Sequence, residues 1–143
     1  GMKVVAVADV LPERPLAAYT EAGVDTACVH SIGDNTAKAD ELLADGQRIG
    51  TNNSALLGQL ANLDVIVEAT GIPEVGAAVC YDAIMAGKHT VNMNVEADAT
   101  VGYYLTQLAR QQGVIYSLAA GDEPGSIKEI YDFADALGFE IVA

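Results

Sequence analysis

The chain alternates between two hydrophobic rhythms. Short continuous apolar runs, at Val4-Val5-Ala6-Val7-Ala8 and at Val65-Ile66-Val67, read as strands buried on both faces. Longer stretches place small and apolar residues at helical spacing. Gly76, Val79, Cys80, Ala83, Ile84 and Gly87 fall at i, i+3, i+4, i+7, i+8 and i+11, on one helix face. Pro73 suits the first turn of that helix and Gly87 its stop. Residues 89–91 follow as a strand. The unit then recurs. Asp98 caps a helix with Val101, Leu105, Leu108 and Ala109 inward, Gly113 ends it, and residues 114–118 form a strand. A third helix carries Ile127, Ile130, Tyr131, Ala134 and Leu137 on one side. Gly138 ends it, and residues 139–142 read as a last strand.

These strands start roughly 25 residues apart. Strand, amphipathic helix, glycine stop and strand make a βαβ unit, and a chain of such units makes a parallel sheet with right-handed crossovers. The first half is less regular. Pro12 and Pro15 open a helix that runs to Gly23, residues 26–29 suit a short strand, and residues 35–44 and 53–61 suit helices. Residues 47–51 between them carry no clear period. The whole chain, 1–143, reads as one domain with one core.

Composition narrows the function classes. The net charge is −13 and the seven Lys and Arg residues are scattered, which argues against nucleic acid and anionic membrane surfaces as partners. No apolar run approaches the roughly 20 residues that span a bilayer. Cys28 and Cys80 are far apart and in no metal-like spacing, which fits a reducing, cytoplasmic setting with no disulfide framework. No His, Cys and carboxylate cluster suggests a metal.

In an open parallel sheet, ligands bind beyond the carboxyl ends of the strands. That rule selects four loops. At the first, Asp9 is a carboxylate that can accept hydrogen bonds from ribose hydroxyls and favours NAD over NADP. Arg14 nearby could instead hold a 2′-phosphate, and Asp9 could simply start a turn before Pro12. At the second, Thr70-Gly71-Ile72-Pro73, Gly71 allows close backbone approach and the helix start beyond it offers N–H groups; a tight connecting turn explains the same residues. At the third, Asn92, Asn94 and Glu96 could read a polar substrate or a nicotinamide amide, and helix entry accounts equally for Glu96. At the fourth, Gly121 and Asp122 read first as a connecting βα loop and second as a place where a substrate would meet the sheet. Neither His30 nor His89 falls at a catalytic strand end, and no acid/base residue stands out. A phosphoacceptor receiver domain with Asp9 as acceptor is disfavoured, because the acidic pair and strand-end lysine of that fold are absent.

The segments 64–76, 87–98 and 119–125 together resemble the NAD(P)-binding domain of predicted homoserine dehydrogenases that carry a C-terminal SAF domain. The resemblance is specific over residues 64–143 and looser over 3–23. It implies an α/β fold: a three-layer Rossmann-like parallel sheet with helices on both faces. It implies an NAD(P)-dependent oxidoreductase acting on a small polar oxo or hydroxy substrate. Asp9, Arg14, Thr70, Gly71, Pro73, Asn92 and Asn94 would then serve the cofactor, and Glu96, Gly121 and Asp122 the substrate.

The sequence departs from that family in three places. No Gly-x-Gly-x-x-Gly turn occurs, so the first βα unit is expected to be lacking and cofactor binding to be weak or lost. Val95 follows Asn94 where homoserine dehydrogenases proper place a catalytic lysine. The chain also stops at Ala143, where a substrate domain would begin. Two expectations follow: an isolated domain without turnover, or a non-catalytic binding module. In either, the strands at 4–8 and 65–68 pair directly across the missing central position, or a second copy completes the sheet in a homo-oligomer.

Overall fold

The computed structural model describes residues 2–119 and 123–142. Among these residues, six parallel strands and six α-helices alternate. The first half contains β1 (Ala6–Ala8), α1 (Arg14–Glu21), a 3₁₀ turn (Thr26–Cys28), β2 (Val29–Ile32), α2 (Thr36–Ala44), β3 (Arg48–Thr51) and α3 (Ala55–Gln59). The second contains β4 (Val65–Glu68), α4 (Pro73–Met85), β5 (His89–Asn92), α5 (Val95–Gln112), β6 (Tyr116–Leu118) and α6 (Glu123–Ala136). This is the expected Rossmann-like α/β architecture of parallel sheets flanked by helices.

The sheet is divided. One half has the order β1-β3-β2 and the other β4-β5-β6. Ala6 pairs with Ile49 and Ile32 with Thr51 in the first; Val67 pairs with Val91, and Val91 with Ser117, in the second. The expected direct pairing of β1 with β4 does not occur. Each strand gives one edge to its own sheet, and its other edge pairs with no strand among the described residues. The halves meet instead on helix faces, where α3 packs on α4. The Lys88 ammonium on the β5 side also donates to the Leu60 carbonyl at 2.7 Å.

Each half has its own core. Ile32, Ala39, Leu42, Ile49, Leu56 and Leu60 close the first, all from inward faces of β2, α2, β3 and α3 or from the residue just past α3. Cys80, Ile84, Leu105 and Ala109 close the second, with Val101, Leu108, Val114 and Tyr116 packed around them. The helical spacing read from Gly76 to Ile84 is therefore a core face, as is that of Leu105 and Ala109.

Four local expectations are corrected. Residues 26–28 form a 3₁₀ turn, because the Asp25 carboxylate accepts from the Ala27 N–H at 3.0 Å, and the strand starts only at Val29. The aperiodic 48–51 segment is a central strand, buried on both sides by neighbours that a period count cannot see. Helix α5 begins at Val95 and not after Asp98, since Asn94 supplies the cap. Residues 139–142 form no strand: nothing among the described residues offers them a ladder, and an extended run without partners leaves its backbone to water. For the same lack of a neighbour, the apolar side of α6 is open, with Ile130 70 % exposed.

Candidate functional site

The carboxyl ends of β4 and β5 bury three polar side chains, Glu68, Asn92 and Asn94. On β4, Ile66 and Glu68 share the inward parity, so the strand's alternation buries a carboxylate beside its apolar core. Glu68 is 1 % exposed. Its Oε1 accepts from the Thr70 N–H at 2.7 Å and folds the chain sharply out of the strand. Gly71 then takes φ +69°, a conformation that a side chain would strain. The Thr70 hydroxyl accepts from the Ile72 N–H at 3.4 Å. Pro73 opens α4 with no side-chain cap at Ile72, so the first N–H groups of that helix face outward from the turn.

The end of β5 is built by its own amides. The Asn92 side chain is fully buried. Its Oδ1 accepts from the Asn94 N–H at 2.9 Å, while its Nδ2 donates to the Asn94 carbonyl at 3.1 Å and to the Tyr116 hydroxyl at 2.9 Å. Asn94 Oδ1 caps α5 by accepting from the Ala97 N–H at 3.0 Å. The Tyr116 hydroxyl donates in turn to Asp98 Oδ1 at 2.8 Å. Burial and the Asp98 hydrogen bond push the Tyr116 phenol well above its ordinary range. Burial, then the Glu68 and Asp98 carboxylates, push the Cys80 thiol up to about 12. Cys80 is therefore a neutral core residue at ordinary pH.

The residues singled out from the sequence fall into two groups. Asp9 and Arg14 sit together at the end of β1. Asp9 Oδ1 accepts from the Leu11 N–H at 2.9 Å, and Oδ2 meets the Arg14 guanidinium at 3.4 Å. Thr70, Gly71, Pro73, Asn92, Asn94 and Glu96 gather at the ends of β4 and β5, with Thr70, Gly71 and Glu96 exposed and both asparagines buried. No hydrogen bond joins the two groups among the described residues. Gly121 and Asp122 lie outside the described residues. The histidines serve the frame: His30 meets Gln47 at 3.2 Å, and His89 Nδ1 accepts from the Ile115 N–H at 3.0 Å.

Sequence reasoning did not single out Glu68, Gly76 or Tyr116 as parts of this site. A carboxylate on the buried parity of a strand was the available signal for Glu68. The tie between Tyr116 and Asn92 spans 24 positions and leaves no local trace. Among the described residues no cluster of His, Cys, Asp and Glu could hold a metal ion, and no helix is long and apolar enough to cross a membrane.

Comparison with known proteins identifies the family. Residues 14–119 match the family model described as homoserine dehydrogenase, NAD binding domain. Comparison with curated proteins gives no match. Among solved structures, biliverdin reductase from Synechocystis sp. PCC 6803, in complex with biliverdin and NADP+, is 25 % identical. Its overlay has a TM-score of 0.49 and covers 80 % of this chain and 36 % of that one. A homoserine dehydrogenase from Thiobacillus denitrificans is 24 % identical with a TM-score of 0.48, over 82 % of this chain and 30 % of that one. The chain thus spans about a third of the length of either structure.

Proposed function

Because the chain belongs to the family of homoserine dehydrogenase NAD-binding domains, we propose that it is the nucleotide-binding part of an NAD(P)-dependent oxidoreductase that acts on a small polar oxo or hydroxy compound. The observation that carries this reading is the turn after β4. A glycine at φ +69° and an uncapped helix start stand at a parallel strand's carboxyl end, where such sheets take ligands. The residues there fit the nicotinamide end of a dinucleotide, which would supply hydride transfer. Backbone N–H groups of α4 and the exposed Thr70 and Glu96 side chains offer donors and acceptors to its amide and ribose. Asn92 and Asn94, being buried, shape the loop that a ligand would meet. Asp9 and Arg14 would serve the adenosine side.

The pyrophosphate is less well provided for. No Gly-x-Gly-x-x-Gly turn occurs in these 143 residues, so binding by this chain alone is weak, and no acid/base residue is assigned. Gly121, Asp122 and Glu96 are the candidates to meet substrate. The setting proposed is cytoplasmic, and residues 1–143 are read as a single domain. The free edges of β1 and β4 favour a second reading, in which a second copy completes the sheet and the chain acts as a binding module without turnover.

Calorimetric titration with NADH and NADPH in low-phosphate buffer tests the first reading. Saturable binding of either supports it, and no binding at millimolar nucleotide overturns it. Sedimentation across a range of protein concentrations tests the second: a strictly monomeric chain removes it.

A further inference from the structure

Two buried polar atoms at this site have no hydrogen-bond partner among the described residues, and they face the same spot. One is Glu68 Oε2 and the other is Asn94 Nδ2. Both side chains are at least nine-tenths buried, at 1 % and 2 % exposure. A Cβ on Gly76 of α4 would stand 2.9 Å from the first and 2.8 Å from the second. A carboxylate oxygen accepts and an amide nitrogen donates, so the two atoms are complementary. Each is costly to bury alone, and the absent side chain at Gly76 is what lets them converge.

The other polar atom of each side chain is already committed to a loop. Glu68 Oε1 holds the Thr70 N–H of the β4–α4 turn, and Asn94 Oδ1 holds the Ala97 N–H at the start of α5. We infer that Glu68 and Asn94 are a positioning pair that couples the two strand-end loops, so that a ligand seated on one loop is felt at the other. A small movement of either loop brings the carboxylate and amide together, and Gly76 keeps the path open. The part of this inference that concerns ligands rests on the nucleotide-binding reading. The coupling between loops does not.

Exchange of the two chemistries tests it. Glu68→Gln alone puts an amide donor against the Asn94 donor, and Asn94→Asp alone puts two carboxylates face to face. The double variant E68Q/N94D restores one donor and one acceptor in reversed order. Asp caps a helix about as well as Asn, so the start of α5 is preserved throughout. The first readout is the Thr70 amide resonance and its exchange protection, recorded on the nucleotide-free chain. Asn94→Asp is expected to move that resonance although Thr70 is in the other loop, and the double variant to return it toward the native position.

The second readout is NADH affinity, expected to fall roughly tenfold in each single variant and to recover in the double. A Thr70 amide indifferent to position 94, or losses that simply multiply in the double variant, would overturn the coupling. If the single variants fail to fold, a folded double variant supports the pair, and a double variant that also fails to fold overturns it. A native chain that binds no NADH overturns the nucleotide reading and leaves the amide resonance to decide the pair.

Discussion

The two halves of this molecule use the same parallel strand-and-helix grammar and fill their cores differently. The β1-β3-β2 half is closed by branched and aliphatic side chains, Ile32, Leu42, Ile49, Leu56 and Leu60. The β4-β5-β6 half is closed by Cys80, Ile84, Leu105 and Ala109, and it buries Glu68, Thr90, Asn92 and Asn94 along its strands and just past them, where the first half buries Thr51. Aliphatic packing tolerates rearrangement because it has no direction. A buried polar group is costly in any position but the one that satisfies it. The second half therefore fixes its loops more narrowly than the first, and it is the half whose loops are candidates to meet the nicotinamide. What separates scaffold from site here is where polar groups are buried, and not the fold of either half.

The largest expected effect tests whether the halves are one cooperative unit. Leu56→Ala and Leu105→Ala each remove a side chain at most 2 % exposed, one from each core, and each is expected to cost about 2–5 kcal/mol. Urea unfolding followed by circular dichroism reads the outcome. A single transition shifted by both variants means that the contact of α3 on α4 and the Lys88–Leu60 hydrogen bond join the cores into one unit. Two transitions, each moved by only one variant, would make the halves separate folding units.

A second variant sharpens the contrast within the polar half. Tyr116→Phe keeps the ring in the core and removes the hydroxyl between Asn92 Nδ2 and Asp98 Oδ1. The expected loss is about 1–3 kcal/mol, because two polar groups lose a partner at once. The same denaturation measurement checks it. A neutral substitution would show that the Asn92 turn is held by the backbone alone.

How much of this could be read from the chain follows the same division. The helical faces of α4 and α5 and the strand at Val65 were legible, since their periods are local and their neighbours are adjacent βα units. So was the position of the turn at Gly71, from a glycine between a strand run and Pro73. Strand β3 was not legible, because Arg48-Ile49-Gly50-Thr51 becomes a central strand only through the partners it finds on both sides. The division of the sheet was not legible. The strands themselves, β1 and β4, were legible, but whether they would pair with each other depends on packing that no period encodes. The convergence of Glu68 and Asn94 on Gly76 was not legible, since it joins three elements through the absence of a side chain.

Thiol chemistry probes the same difference at a smaller scale. Cys28 is half-buried in the first half and Cys80 is fully buried in the second. Titration of the native protein with a disulfide reagent near pH 8 is expected to modify Cys28 alone, and in denaturant both. The Cys80 thiol is raised from its ordinary 9.0 to about 12, so the folded state favours its neutral form. The stability this contributes is complete below pH 9 and is lost as pH rises toward 12. Unfolding measured between pH 8 and 11 should therefore show stability falling with pH, less steeply in Cys80→Ala. Equal slopes in the two proteins would mean that other groups, such as the buried Tyr19 phenol also raised to about 12, govern alkaline stability.

The smallest effect on stability is expected at the end of β1, where the first half would meet the ligand. The Arg14 guanidinium is 61 % exposed and meets Asp9 at 3.4 Å, so screening by water leaves the pair worth less than about 1 kcal/mol. Arg14→Ala should leave unfolding unchanged. Its consequence should appear in ligand choice. With Arg14 present, a 2′-phosphate finds a cation beside Asp9; without it, the carboxylate stands alone and repels that phosphate. The ratio of NADPH to NADH affinity should fall in Arg14→Ala and rise in Asp9→Asn, and parallel titrations of the three proteins measure it. An unchanged ratio would detach this corner from the nucleotide and leave Asp9 as the residue that turns the chain after β1.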